Sequence, residues 1–570
     1  MKYESDILKR LIDTYGVVGN PRYISEIIKE FIVRGKELFP ELFTYQSDWL
    51  AHIDEFGLNP TYTVSYTGQS IYAPNTLERP VTSAILKGNT LVNLSDNLET
   101  ITRSLNGWYV QEKLMDNIEK IKRNTYYTIL YRLENISGNH QDYNGISLGI
   151  GMNAFNKDLT DNIISIVDKN GGWCKVRFQL TDDFIEQFPT YKQLYIRPIR
   201  RTTAPVEGES IDYTIKGFTI LEGDYITNPI PFNEVFEGMQ SVKMPVLTTI
   251  GKNLFGLCEF EKGTMGGFPN TNITITNNSI SFGEIGGSVV VKLKGKPNTK
   301  YTISFIVNNT STMNLREWND RTQTTDVNGE VIWRYGSYNP NTNNGLYKLE
   351  NIQIEEGSVA TSYEPYKTNI LTVNEEVELR GIGVGSNRIE DELDCLTGEV
   401  VERIGEIVLD GTQDMSSDDN GVYIQVNDVK RFLDYTGKIA CDKLPVVSTY
   451  GQLANVENGI SGYTNSGSYL GQNWLYVRIN NSVNKDEVKE WLTQNPITVQ
   501  YQLANESVKT VDLTILDQNG QGVDHLKSFN GGTHIYTSSL EGSLTPSVDI
   551  SVVTNLEETL KLCSLDGNTL

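Results

Sequence analysis

Residue types that do acid–base, nucleophilic or metal chemistry occur in this sequence without the spacing that such chemistry requires. The histidines stand far apart, at His52, His140, His525 and His534. None lies in an H-E-x-x-H pattern, no histidine–cysteine group has zinc-site spacing, and neither a G-x-S-x-G nor a P-loop pattern occurs. We therefore predict that the protein is not an enzyme, with one alternative left open.

That alternative is a glycan hydrolase, because carboxylates are plentiful. Glu390, Asp391, Glu392 and Asp394 crowd one stretch, and their spacing predicts a solvated linker. A glycosidase pair is defined by the distance between its two carboxylates, which a sequence does not contain. The chain lacks the parallel β-helix repeats of many polysaccharide-degrading enzymes, and this favours the non-enzymatic interpretation.

One acidic loop has the composition of a metal site. Asp517, Asn519 and Asp524 place oxygen ligands around glycines, loosely as in a calcium-binding loop, and residues 414–420 are a weaker candidate. A hydrated β-turn is the more ordinary interpretation of both. Calcium is therefore the one cofactor for which the sequence contains a candidate site.

Aromatic residues give a stronger indication of function. Trp318, Trp333, Tyr335 and Tyr338 lie in one stretch that also contains Arg, Asn and Asp. Sugars are commonly bound by an aromatic ring against the apolar face of the pyranose and by planar polar groups at its hydroxyls, so we predict a glycan-binding site here. The alternative for Trp333 is a place in the core, because strand alternation puts it on one face with Val331 and Tyr335.

A short sequence motif occurs twice and indicates the domains that would position these residues. Residues 122–131 read KRNTYYTILY, and residues 296–305 read KPNTKYTISF. Asn-Leu precedes each copy, at Asn93 and Asn253, and I-x-E-G follows each, at Glu222 and Glu356. A repeated unit longer than about a hundred residues predicts tandem domains, because the periods of solenoids are far shorter.

Composition predicts that these domains are all-β. The 570-residue chain contains 30 tyrosines and 49 glycines and carries a net charge of −23. Tyr, Thr and β-branched residues between Gly and Asn turns predict short strands. There is neither a basic stripe nor a long apolar run, so we expect no nucleic-acid partner and no membrane span.

The cysteines predict free thiols. They are odd in number and far apart in sequence, and the N-terminus lacks the apolar stretch of a signal peptide, which together favour a protein made in a reducing cytoplasm. The five are Cys174, Cys258, Cys395, Cys441 and Cys563.

Several phrases in order also resemble those of a known class of proteins. These are KPNTKYTISF, then LENIQIEEGSVATSYEPYKTN, then LRGIGVGSNRIEDELDCLTGEVVERIGEIVLDG. Over roughly residues 85–510 the chain resembles tail-fibre, receptor-binding and baseplate proteins of phages and prophages of low-GC Gram-positive bacteria. Their β-sandwich modules are similar to carbohydrate-binding modules.

The resemblance implies a location and partners. It implies a homotrimer in the phage tail, synthesised in the host cytoplasm and attached by its N-terminal region to other tail or baseplate proteins. Three amphipathic stretches within residues 1–60 predict short helices, which by analogy would make that attachment.

We expect a mainly β chain, with tandem jelly-roll-like β-sandwich modules after a short α-helical N-terminal region. The predicted parts are a helical attachment region (1–60), a linker (61–84), β-sandwich module 1 (85–245), β-sandwich module 2 (246–370), a connecting β segment (371–411), a β-rich module 3 (412–513) and a C-terminal β segment (514–570).

The predicted function is attachment to the host cell surface. We expect a tail-fibre or receptor-binding protein that binds a surface polysaccharide or a teichoic-acid-type polymer through its tandem modules, since linked weak sites gain avidity. The alternatives are a polysaccharide depolymerase or cell-wall hydrolase of the tail tip, and a structural spacer that binds no glycan.

Overall fold

The computed structural model of the protein describes most of residues 61–555. The predicted helical region, residues 1–60, lies outside the described residues, as do residues 556–570 with Cys563. Within the described part, the gaps are 96–99, 117, 119–120, 122, 139–145, 160–162, 167–172, 202, 205, 227–238, 264–272, 283–285, 310–313, 327–328, 339–346, 384–387, 426–438, 448–449, 465–472 and 542–543.

The protein is mainly β, as the sequence predicts. The strands up to the second repeat are β1 (Thr61–Gly68), β2 (Ser70–Pro74), β3 (Arg79–Pro80), β4 (Ser83–Lys87), β5 (Thr90–Val92), β6 (Thr100–Leu105), β7 (Glu112–Met115), β8 (Tyr126–Gly138), β9 (Ser147–Gly151), β10 (Lys157–Asp158), β11 (Ile164–Ile166), β12 (Trp173–Gln179), β13 (Gln193–Arg197) and β14 (Ile211–Glu222). The next are β15 (Met239–Gly251), β16 (Glu259–Gly263), β17 (Ile273–Ile275), β18 (Ser279–Phe282), β19 (Gly286–Lys294), β20 (Lys300–Asn309), β21 (Asn314–Glu317), β22 (Thr322–Thr324), β23 (Glu330–Tyr338) and β24 (Tyr347–Glu356).

The remaining strands follow the second repeat. They are β25 (Thr368–Val373), β26 (Glu378–Leu379), β27 (Gly381–Ile382), β28 (Ile389–Glu390), β29 (Glu392–Asp394), β30 (Glu399–Leu409), β31 (Met415–Ser417), β32 (Val422–Gln425), β33 (Ile439–Cys441), β34 (Gly459–Thr464), β35 (Asn473–Arg478), β36 (Ile497–Thr510), β37 (Leu513–Asp517), β38 (Lys527–Ser528), β39 (Gly532–Glu541) and β40 (Ser547–Asn555). The helices in the described residues are α1 (Asp182–Gln187), α2 (Lys485–Gln494) and two 3-10 turns, Phe255–Leu257 and Tyr450–Asn455.

Two seven-stranded sheets form what we call the central sandwich. The first sheet has the order β1-β40-β4-β29-β30-β36-β33. The second follows β2-β39-β15-β25-β37, with β5 and β26 also paired to β15. Both contribute to one hydrophobic core, in which Leu86, Leu247, Leu371, Ile535 and Ile550 are buried together. The core therefore joins parts of the chain that lie far apart in sequence.

Three further units are inserted into the central sandwich at strand ends. We call residues 93–226 the first inserted sandwich, residues 252–367 the second inserted sandwich, and residues 410–496 the third inserted unit. Each lies between two strands that are antiparallel neighbours, namely β5 and β15, β15 and β25, and β30 and β36. Neighbouring strands are about 4.8 Å apart, so each unit leaves and re-enters the central sandwich at almost the same place.

The central sandwich combines strands from several parts that are predicted from sequence to be separate and consecutive. Residues from the predicted linker (61–84), the connecting segment (371–411) and the C-terminal segment (514–570) all supply strands to the central sandwich. β1 pairs along its whole length with β40, from Thr61–Asn555 to Gly68–Val548. Such pairs join residues nearly 500 positions apart, which no local sequence pattern indicates.

The first and second inserted sandwiches share seven strands in the same order, and the one further strand of each sheet lies at opposite edges in the two sandwiches. Each packs a five-stranded sheet on a four-stranded sheet: β11-β12-β8-β14-β6 on β10-β9-β13-β7 in the first, and β17-β18-β24-β20-β22 on β16-β19-β23-β21 in the second. In both, the strand that contains N-T-x-Y-T-I pairs with the strand that ends in I-x-E-G, as β8 with β14 and β20 with β24. The repeated phrases are therefore neighbours in the fold.

The Thr and Gly of these phrases form the same hydrogen bond in both sandwiches. Thr128 Oγ1 donates to the carbonyl oxygen of Gly223, and Thr302 Oγ1 donates to that of Gly357, each over 2.8 Å. The glycines have φ angles of 125° and 124°, a region that residues with a Cβ rarely adopt. The glycine of I-x-E-G is therefore a requirement of backbone geometry.

The Asn of the Asn-Leu phrase also has the same role twice. Asn253 Nδ2 donates to the carbonyl of Ile352 (3.0 Å), and its Oδ1 accepts from the amide of Ile354 (3.2 Å). Asn93 bridges the corresponding strand of the first inserted sandwich, to Phe218 and Ile220, over 3.2 and 2.9 Å. Both asparagines are buried, so each fixes the start of its sandwich to the sandwich's last strand.

The third inserted unit has its own four-stranded sheet and a helix. The sheet β31-β32-β35-β34 and α2 share a core with the ends of β30, β33 and β36, in which Leu409, Leu475 and Leu492 are buried. Asn484 caps α2, and its side chain accepts from the amide of Asp486. Among the described residues, no helix is long and apolar enough to cross a membrane.

The described cysteines are mostly buried thiols. Cys174, Cys258, Cys395 and Cys441 form no disulfide with one another. Burial raises the pKa of the Cys258 and Cys441 thiols to about 12, which suppresses the reactive thiolate form.

His534 lies between two tyrosine rings where the central sandwich meets the second inserted sandwich. Its ring centre is 4.5 Å from that of Tyr72 and 6.1 Å from that of Tyr536, which also packs against the second sandwich's core. His534 is buried, and neither ring nitrogen has a hydrogen-bond partner among the described residues. Burial, and to a lesser extent the positive charge of Lys296, lowers the pKa of His534 to about 3.

We predict that His534 makes this protein acid-sensitive. The folded-state pKa lies below the ordinary value of 6.5, so the unfolded chain takes up the proton first. Neutral His534 makes its full contribution to the free energy of unfolding above about pH 6.5. This contribution is lost as the pH falls from 6.5 towards 3. At about pH 4.5 the loss is roughly 2–3 kcal/mol, which His534→Phe removes.

Urea unfolding of wild type and variant at neutral and acid pH measures this difference. His525→Phe, at an exposed histidine, is the matched control and leaves the pH dependence as in wild type. An identical pH dependence in His534→Phe and wild type would contradict the prediction.

We also predict that Asn253→Ala destabilises the second inserted sandwich by about 2–4 kcal/mol, because it leaves buried backbone groups without partners. Asn308→Ala, at an exposed position on β20, is the control and costs about 0.5 kcal/mol or less. Denaturant unfolding followed by circular dichroism measures both. Equal effects of the two substitutions would refute the structural role of Asn253.

Candidate functional site

Two of the four predicted sugar-binding aromatics are core residues. Trp333 and Tyr335 lie on β23 with 0% and 1% of their surface exposed. Trp333 Nε1 donates to the carbonyl of Arg321 over 3.0 Å, and the Tyr335 ring meets that of Phe305 edge to face at 5.3 Å. A buried ring has no free face for a sugar. The structure thus corrects the predicted glycan-binding set at these two positions, for which strand alternation had offered the core as the alternative.

Tyr335 is buried together with its hydroxyl group. The hydroxyl oxygen has no hydrogen-bond partner among the described residues. Burial, with the negative charge of Glu317 nearby, raises the pKa of Tyr335 far above its usual value, so the ring stays neutral. Tyr335 is therefore a packing residue of the core and does not contact a ligand.

Trp318 and Tyr338 are placed differently. Trp318 follows β21 and is 36% exposed, and its amide donates to the carbonyl of Arg334 over 3.1 Å. The guanidinium of Arg316 lies 4.9 Å from the centre of its ring. Tyr338 is the last residue of β23, opposite Asn314 of β21, and its side chain is outside the described part of the structure.

Trp318 borders an open cleft that its own segment forms. Residues 317–323 line a cavity of about 650 Å³. Arg321 spans the segment through two bonds to the Glu317 carboxylate, of 2.8 and 3.1 Å, and its guanidinium covers the Phe305 ring at 4.2 Å. Asn319 Oδ1 accepts from the amide of Arg334. We call this cleft the Trp318 cleft.

The chemistry of the Trp318 cleft suits a sugar. An indole ring provides an apolar face, while Asn319, Asp320 and Gln323 provide amide and carboxylate groups able to bond hydroxyls. The rigid position of the segment comes from β23 beneath it, through Trp333 and the Arg334 backbone. Preorganisation of this kind lowers the entropic cost of binding.

The first inserted sandwich carries a second aromatic cluster that sequence reasoning missed. Trp108 and Tyr109 are 50% and 45% exposed. The guanidinium carbon of Arg197 lies 3.7 Å from the ring centres of both Tyr109 and Phe155. The adjacent pair Trp108-Tyr109 was the only sequence signal for it, because Phe155 and Arg197 come from distant strands and loops. We call these residues the Arg197 cluster.

In each site, one aromatic residue comes after a strand that has a counterpart in the other inserted sandwich. Phe155 comes after β9, which pairs with β13, and Trp318 comes after β21, which pairs with β23. β9 and β21 pair with corresponding strands, although β9 is an interior strand of its sheet and β21 is an edge strand. The two repeats thus present aromatic residues beside the same part of the fold.

The predicted calcium loop is a hydrogen-bonded turn. Asp517 Oδ1 accepts from the amides of Asn519 and Gln521, over 2.8 and 2.9 Å, and these bonds lower the pKa of the Asp517 carboxyl. Gly520 has a φ angle of 72°, as the turn requires. Asp524 is exposed further along. Among the described residues, no group of three or more His, Cys, Asp or Glu side chains is arranged to hold a metal ion.

The acidic stretch 390–394 is not the solvated linker that its spacing predicts. Asp391 is fully buried and accepts from the amides of Arg380, Arg403 and Ile404, over 3.0, 2.6 and 3.0 Å. Burial raises the pKa of its carboxyl to about 6 against the opposing effect of those bonds. Its neighbour Glu392 pairs with Arg403 at 2.9 Å. These carboxylates therefore join strands of the central sandwich.

No known protein family and no curated protein matches this chain.

We predict that the two tryptophans differ strongly in their contribution to stability. Trp333→Ala leaves a large cavity in the second inserted sandwich and costs about 3–5 kcal/mol, whereas Trp318→Ala costs less than about 1 kcal/mol. Urea unfolding of both variants tests this. A large loss of stability in Trp318→Ala would show that its ring is a packing residue and would remove the cleft as a binding site.

Proposed function

We propose that this chain is a phage tail-fibre or receptor-binding protein that attaches the virion to glycans of the host cell surface. The observation that carries the proposal is the Trp318 cleft, where an exposed indole borders planar polar groups in an open cavity of about 650 Å³. The resemblance of the repeated phrases to tail-tip proteins supports the virion location. The ligand under this proposal is a surface polysaccharide or a teichoic-acid-type polymer.

The repeat supports binding at more than one place. The second inserted sandwich has the Trp318 cleft, and the first has the Arg197 cluster beside the corresponding strand. Two weak sites on one chain raise the effective concentration of ligand at the second site once the first is occupied. A homotrimer, which the resemblance implies, would multiply the number of sites by three.

Attachment to the particle falls to residues 1–60 under this proposal. Their amphipathic pattern is suited to docking on other tail or baseplate proteins. The acidic net charge of −23 favours a soluble projecting protein and disfavours binding to nucleic acid.

We predict that Trp318→Ala weakens binding of the full-length protein to susceptible cells by roughly tenfold or more, since a central aromatic contact is worth about 2 kcal/mol. The measurement is binding of labelled protein to a panel of low-GC Gram-positive bacteria. Tyr126→Ala is the matched control, because Tyr126 is 37% exposed and also contacts an arginine, Arg177, but lies in the five-stranded sheet of the first inserted sandwich.

Three outcomes of this experiment would change the proposal. Equal binding by Trp318→Ala and wild type would remove the Trp318 cleft from the binding surface. Shortened polysaccharide in the same tubes would identify a depolymerase instead. Absence of binding by wild type to every strain, including a susceptible host, would leave a structural spacer.

A further inference from the structure

We propose that the Arg197 cluster is a binding site for an anionic glycan, in which arginine side chains bind the negative group and an exposed aromatic ring binds the sugar. This inference rests on the proposed function and names the class of ligand for the first inserted sandwich. Three features of the cluster support an anionic ligand: the position of Arg197, the nearby Arg200 and the local charge.

Arg197 lies on the outer face of the four-stranded sheet. Its neighbour Ile196 is fully buried in the sandwich core, so Arg197, one residue further along β13, points to the opposite face. The rings of Tyr109 and Phe155 both lie 3.7 Å from its guanidinium carbon. Both rings therefore pack against the guanidinium, whose N–H groups are the part that forms hydrogen bonds.

The Arg197 guanidinium makes no hydrogen bond with any described residue. Its side chain is only 12% exposed, and its Nε is buried without a partner. The nearest carboxylate is that of Asp158, which is half exposed and 3.8 Å away, beyond hydrogen-bonding distance. Because Arg197 has no hydrogen-bonded carboxylate in the described part of the chain, a ligand that supplies acceptor oxygens to the exposed part of its guanidinium makes charge-assisted bonds there.

A second arginine approaches the same place. Ser147 of β9 lies directly opposite Arg197 in the ladder, and its hydroxyl accepts from Arg200 Nη1 over 3.1 Å. Arg200 is exposed. Arg200 thus bonds to the residue that pairs with Arg197 across the ladder, and Asp158 is the carboxylate beside Arg197, in a chain whose net charge is −23.

The neighbouring aromatic side chain indicates a glycan rather than a bare anion. Trp108, half exposed, is adjacent to Tyr109, and its carbonyl accepts from the amide of Arg201, which holds it at this edge of the sandwich. A planar guanidinium recognises phosphate and carboxylate oxygens alike. The ligand class is therefore a polysaccharide that carries phosphodiester or uronate groups.

Calorimetric titration of the full-length protein tests the proposal. The probes are poly(glycerol phosphate), oligogalacturonate, neutral dextran and single-stranded DNA. We expect saturable binding of one or both anionic glycans, no binding of dextran, and weakening of the interaction by salt. The phosphate and uronate arms distinguish the two sources of negative charge.

Substitutions locate the site. Arg197→Gln and Arg200→Gln are each expected to weaken binding about tenfold or more, the value of a charge-assisted contact. Arg79→Gln, at an exposed arginine of the central sandwich, makes the same change of charge and leaves affinity unchanged. Arg200→Gln decides the matter if Arg197→Gln fails to fold, because the Arg200 side chain is exposed.

Several results would overturn the proposal. They are absence of binding to both anionic glycans, equal affinity for dextran, equal affinity for DNA, or unchanged affinity in the arginine variants. Wild-type adsorption to cells separates this failure from that of the proposed function. Adsorption that persists without polyanion binding would reject the Arg197 cluster alone, whereas absence of adsorption to a susceptible host would reject host attachment itself.

Discussion

Antiparallel pairing between distant strands of the central sandwich is the constraint on which the other units depend. β39 pairs with β15 in one sheet and β40 with β1 and β4 in the other, so the end of the chain closes a core that residues 61–92 begin. Each inserted unit starts and finishes on neighbouring strands of these sheets. If the ladder between β15 and β25 separated, the second inserted sandwich would lose the fixed distance between its ends.

Within the two inserted sandwiches, hydrogen bonds from the repeated polar residues fix strand positions that hydrophobic burial alone cannot specify. Burial of apolar side chains is non-directional, so it favours a sandwich without fixing its register. Asn93 and Asn253 set where each sandwich begins relative to its last strand, and the Thr–Gly bond sets the register of the two central strands. Because these bonds are buried and geometrically demanding, the same residues occur in both copies, while the exposed loops between them differ.

The two candidate sites differ in charge although they lie beside corresponding strands. In the Trp318 cleft, Arg321 is neutralised by two bonds to Glu317, so polar groups and one indole face remain for a ligand. In the Arg197 cluster, the Arg197 guanidinium lies 3.8 Å from the Asp158 carboxylate, and Arg200 donates to the uncharged hydroxyl of Ser147. One framework can thus present different chemistry, because most of the candidate ligand-binding residues come from loops and from the four-stranded sheets, which do not contribute to the repeated hydrogen bonds.

The mainly β class and the repeat follow from the sequence itself, because both depend on local patterns of turns, strand alternation and repeated phrases. The sequence also placed Trp333 and Tyr335 on one strand face, but it could not tell whether that face lay towards the core or towards solvent. That face is the core face, because the second sheet of the sandwich packs against it, and that contact joins residues distant in sequence. Contacts between distant residues follow from packing, which no local pattern encodes. For this reason the sequence did not reveal the burial of Asp391 or the contact of Arg197 with Tyr109 and Phe155. It also did not reveal that the central sandwich combines residues from separate predicted parts.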